Sequence, residues 1–141
     1  MRLSAKGASG TTACALHAEA RGVGMTHTLH DTALDLYLAV LPRIASAGRR
    51  VRALNKKLAS QLDSAAQSVA ANLAEADTPC PGNSRSRVET AFGSLRETRT
   101  HLRVAAIYGY LDSAEVVAID AVLDRVAAMT WRRTQARRRR R

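Results

Sequence analysis

A chain of 141 residues, 46% of them hydrophobic, has room for one domain whose packed core needs no disulfide or metal staple. One Trp, one Phe and three Tyr leave that core to Ala, Leu, Val and Ile, and only three prolines with no sustained apolar–polar alternation exclude a β-rich fold. The 22 Lys and Arg outnumber 12 Asp and Glu, for a net charge of +10, and no apolar run is long enough to span a membrane.

The first two dozen residues are rich in Gly, Ala, Ser and Thr and show no helical period. Residues 1–27 are therefore expected to form a disordered extension, with Met25 an alternative start of translation just before patterned sequence begins. Arg2 and Lys6 precede no apolar segment of the kind a secretory leader needs, so the cytoplasm is the expected compartment. Within this stretch the run KGASGTT at 6–12 has the glycines of a phosphate-binding loop. It lacks the Lys-Ser/Thr pair, and no strand precedes it. Cys14 and Cys80 sit far apart without a CxxC spacing and are expected to be free thiols.

Four amphipathic stretches follow, and together they predict an all-α, antiparallel up-and-down four-helix bundle over 28–133, with an Arg-rich tail at 134–141. The first helix is expected from Thr28 or Leu29 to Ala47, with Leu34, Tyr37, Leu38, Leu41 and Ile44 inward, a kink at Pro42 and a stop at Gly48. A basic connector comes next: Arg43, Arg49, Arg50, Arg52, Lys56 and Lys57, with no acid between Asp35 and Asp63. The second helix starts between Val51 and Leu54 and ends near Ala76, with apolar residues at 58, 62, 65, 66, 69, 70 and 73.

Two prolines and a glycine make 77–83 a loop. The third helix begins near Ser84 and buries Val88, Ala91, Phe92, Leu95, Leu102 and Ala106, flanked by a stripe of Arg96, Arg99 and Arg103. Gly109 ends it. Asp112 or Ser113 caps a fourth helix in capping-box spacing with Glu115, and Leu111 is placed to staple onto Val116. That helix runs to about Arg133, with Val116, Ile119, Leu123, Val126 and either Met129 or Thr130 inward.

These residues carry a resemblance. SQLDSAAQSVAANLAEA, with Gln61, Ala65, Ala66, Ser68, Asn72, Ala74 and Glu75, followed by a helix with Gly93-Ser94-Leu95 and Glu97 and the Gly109-Tyr110-Leu111 hinge, resembles the four-helix-bundle family of 23S rRNA-intervening-sequence proteins over about residues 30 to 131. The chain departs from the family pattern at Ala76, where Gly is common, and in the Pro-rich loop that follows. The resemblance implies a small cytosolic bundle of poorly defined activity that assembles into a ring of five. In fold and charge the chain is also similar to the accessory variability determinant of diversity-generating retroelements, which implies a reverse transcriptase and its RNA as partners.

No catalytic constellation stands out. Of the four histidines, at 17, 27, 30 and 101, only His27 and His30 share a helical spacing, and no second cluster completes a metal sphere. Nucleophile, base and orienting acid do not fall together, so neither an enzyme nor a cofactor is expected. Ser68 and Asn72 lie one turn apart near the apolar face of the second helix. Hydrogen bonds between helices or contacts between subunits account for them, and with Gln61 and Glu75 they are the candidate assembly residues. Glu75 and Glu97 are candidates for pairing with Arg.

Binding remains. The last ten residues hold seven arginines, Arg132, Arg133, Arg137, Arg138, Arg139, Arg140 and Arg141, and the other 131 residues carry 15 basic and 12 acidic side chains. The basic connector would lie at one end of a bundle; the tail would join Arg85 and Arg87 at the other. Arg suits bidentate phosphate contacts and stacking on bases, and counterion release makes such binding salt-dependent and mostly blind to sequence. RNA rather than duplex DNA is the expected ligand, with little sequence reading for want of aromatics. The alternative is a structural or adaptor bundle that docks on an acidic protein, its connector a solvated turn and its tail an aid to solubility.

Overall fold

The computed structural model describes residues 29–76 and 81–138. All its elements are helices: α1 (Leu29–Leu54), α2 (Lys56–Glu75), α3 (Pro81–Ile107) and α4 (Ser113–Arg138). Each packs on the next and α4 returns to α1, which closes the up-and-down bundle expected from the periodicity. The N-terminal extension, Cys14, Cys80, His17, His27 and Arg139, Arg140 and Arg141 lie outside the described residues.

The largest buried side chains are Tyr37 and Ile44 of α1, Leu62 and Leu73 of α2, Leu95 and Leu102 of α3, and Ile119 and Leu123 of α4. Tyr37 is wholly enclosed, and its hydroxyl donates to the Ala66 carbonyl of α2 at 2.8 Å. Burial drives its phenol pKa upward, against the smaller opposing effect of a hydrogen bond with Thr98. One inward assignment needs correction. Leu38 is 46% exposed, while Ala33, Val40, Ala47 and Val51 complete the buried stripe of α1. Phe92 and Ala106 are partly buried and pack against the core as expected; the Phe92 ring stands 5.6 Å from that of Trp131 on α4.

The first corner of the bundle differs from expectation. Gly48 does not stop α1, which continues for six residues to Leu54, and Pro42 lies on its exposed face without ending it. Burial of Ala47 and Val51 on either side holds the backbone helical against the propensity of Gly. The break falls at Asn55 instead. Its amide donates to the Val51 carbonyl at 2.7 Å, its backbone turns extended (φ −148°), and its side-chain oxygen accepts from Leu58 N at 3.0 Å. One residue thus finishes α1 and caps α2, and the basic connector is helical surface on both sides of a sharp corner.

The other ends follow local rules. Pro81 starts α3 earlier than expected, a position where its missing N–H costs nothing, so Gly82 and Asn83 belong to the helix rather than to a loop. The buried Ser84 hydroxyl donates to the Ala76 carbonyl at the end of α2. At the far end of α3, Gly109 takes φ +73°, Gly109 N donates to Ala106 O at 2.9 Å and Tyr110 N to Ala105 O at 2.8 Å, a Schellman termination. Asp112 then caps α4 by accepting from Glu115 N at 3.2 Å. Leu111 and Val116, at the two positions of a hydrophobic staple, are both buried in the core. The helix passes Arg133 and continues to Arg138.

Candidate nucleic-acid interface

The corner at Asn55 and the Tyr110–Leu111 turn form one end of the bundle. Arg50 Nη2 donates to both carboxylate oxygens of Glu115, at 2.6 and 2.7 Å, and ties α1 to α4 there; Arg52 is bound by Asp63. The other cations of the expected connector are exposed, Arg49, Lys56 and Lys57 beside the corner and Arg43 about three turns before it on α1, and among the described residues none of them has a carboxylate partner. Lys56 and Lys57 occupy the first turn of α2, which contains no acid. There the helix dipole is positive, so two ammonium groups are disfavoured by roughly 0.3–1 kcal/mol each.

The arginine stripe on α3 divides. Arg99 reaches Asp120 at 2.6 Å and Asp124 at 3.1 Å, and Arg103 reaches Asp120 at 2.8 Å, so both belong to a seam between α3 and α4. Hydrogen bonding to Arg99 is the largest reason that the Asp120 carboxyl is held below its usual range; the same bond raises Arg99. Arg96 stays exposed without a carboxylate partner among the described residues.

At the opposite end Arg85 pairs with Glu89 within α3, and Arg87 crosses to Glu75 of α2 at 2.9 Å and to Asn72 Oδ1 at 3.3 Å. Arg133 donates to the Ala76 carbonyl at 3.1 Å, Arg132 is exposed, and Arg137 and Arg138 fall in the last turn of α4. Sequence reasoning passed over Arg125, exposed on α4 without a carboxylate partner among the described residues. It stands alone between charged neighbours of both signs, so no cluster marked it.

The polar marks of α2 are spent on its junction with α3. The hydroxyls of Ser68 and Ser94 lie 2.8 Å apart, and Asn72 Nδ2 donates to Ser68 O at 2.8 Å while its oxygen accepts from Arg87. Gln61 faces outward. Glu97 meets His101 of its own helix at 3.5 Å rather than an arginine. No group of three metal-ligating side chains occurs among the described residues, and no described helix is long and apolar enough to cross a membrane.

Comparison with known proteins agrees with this architecture. A protein of unknown function from the S23 ribosomal protein family, from Bacteroides thetaiotaomicron, has a crystal structure that matches with a TM-score of 0.67 over 77% of this chain and 99% of its own. At 15% identity that likeness concerns the fold alone. A search of curated proteins gives no match. The sequence profile of the 23S rRNA-intervening sequence proteins matches residues 45–132, from the end of α1 through nearly all of α4, and the chain belongs to that family.

Proposed function

We propose that this protein is a non-enzymatic, oligomeric helical bundle of the cytoplasm that binds RNA through the cations left unpaired on its surface. The observation that carries the reading is the pair Lys56 and Lys57. They stand in the first turn of α2, with no acid in that turn and Arg49 on the preceding helix. The fold gains nothing from positive charge at a positive helix end; a phosphate there would meet both the ammonium groups and the dipole. The arginines of the tail add a second basic region, and an assembly of several subunits would multiply modest contacts into useful affinity. A reverse transcriptase that carries such an RNA is the partner this reading favours.

Titration of a structured RNA at several salt concentrations tests it. The association constant is expected to fall steeply and linearly on a log–log plot, by ~0.7–0.9 in slope for each phosphate contacted. Absence of binding at low salt, or binding indifferent to salt, would leave the adaptor reading in its place.

A further inference from the structure

The end of the bundle that carries Lys56 and Lys57 also carries its most exposed apolar side chains. Ile107 is 81% exposed, Val117 in the first turns of α4 68%, Leu54 63% and Tyr108 62%, and the Tyr108 ring stands 5.5 Å from that of Tyr110. The pairs Glu75–Arg87 and Ser68–Ser94 set α2 and α3 in an antiparallel register, which carries the start of α2 to the level of the end of α3. The Arg50–Glu115 pair brings the start of α4 to the end of α1. An aromatic ring, aliphatic side chains and cations without a carboxylate partner among the described residues therefore share one end of the bundle. Tyr108 is not there to bury itself: the Schellman turn that holds it uses only backbone groups.

We propose that this end is a stacking platform for single-stranded RNA, with the Tyr108 ring against an unpaired base and Lys56, Lys57 and Arg49 against the flanking phosphates. The proposal rests on the RNA-binding reading and narrows it to unpaired nucleotides. Charge complementarity selects the occupant. A polyanion with flat apolar bases matches both parts of the surface, whereas a second copy docked end to end would set the same cations against one another. The acids of this end are already engaged, Glu115 by Arg50, Asp63 by Arg52 and Asp112 as the cap of α4.

The test uses the full chain and two fluorescein-labelled probes, a short oligoadenylate and a blunt RNA duplex of similar charge, read by anisotropy. Tyr108→Ala is expected to weaken oligoadenylate binding about tenfold while duplex binding and the salt slope stay unchanged, because bases inside a duplex cannot reach the ring. Tyr108→Phe keeps the ring and is expected to keep the affinity. Equal loss on both probes, or no loss on either, overturns the platform while the broader RNA reading stands. If neither probe binds the unaltered chain at low salt, both fall. If Tyr108→Ala instead lowers the sedimentation mass of the RNA-free protein, the ring is a subunit contact and the platform is overturned.

Discussion

Asp120 holds two guanidinium groups on one carboxylate, and its consequences are electrostatic. Its folded-state pKa is depressed, chiefly by the hydrogen bond from Arg99 and further by Arg103. The stability it contributes is therefore present above the unfolded value near 4 and is lost as pH falls through the lower folded value. Both Arg99 and Asp120 are about one-fifth exposed, so the pair keeps more of its strength than a fully solvated one. Asp120→Asn is expected to cost on the order of 1 kcal/mol at pH 7 and less at pH 2, because acid progressively removes the charge on which the pair depends. Urea unfolding of both proteins at the two pH values measures this; an equal cost at both would mean that packing, not charge, is at stake. The sequence displayed Arg99 and Arg103 as a surface stripe. Their partners lie a helix away, and a spacing rule along one helix cannot see across a bundle.

On the scale of elements, the first corner shows how burial overrides local propensity. Gly48 and Pro42 both argue against a helix of 26 residues, yet Tyr37, Ile44, Ala47 and Val51 face the core in one stripe only if the helix is unbroken. The caps at Asp112 and Gly109 were legible because they satisfy their own neighbourhood. The Asn55 corner was not, since its break depends on where α2 must start to bury Leu58 and Leu62. Gly48 has a close neighbour: a Cβ there would stand 2.8 Å from Asp63 Oδ1, the end of a side chain bound to Arg52. That carboxylate can rotate away. Its half-exposed pair is worth ~0–1 kcal/mol, against about 1 kcal/mol gained from Ala over Gly inside a helix. Gly48→Ala is expected to raise unfolding stability by about 0.5 kcal/mol, read by thermal or urea denaturation. A loss of more than about 1 kcal/mol would show that the Asp63 position is fixed by packing.

For the whole molecule, the distinction on which the proposed RNA binding rests is between cations spent on the fold and cations left over. The four apolar periods made the bundle readable, because each helix must bury its stripe against its neighbours. The charge blocks were readable, but not which of their members the fold uses: Arg50, Arg52, Arg87, Arg99 and Arg103 are held by Glu115, Asp63, Glu75 and Asp120. The two groups predict opposite behaviour. Replacing Lys56 and Lys57 together by Gln removes charge from a positive helix end, so stability should hold or rise slightly while the salt slope of RNA binding shrinks by about 1–2. Arg99→Gln strips Asp120 of its main partner, so stability should fall by about 1 kcal/mol while the salt slope is kept. Unfolding and binding measured on the same two variants separate these outcomes. A slope that falls with Arg99→Gln and is untouched by the lysine changes would move the interface from the end of the bundle to the seam between α3 and α4.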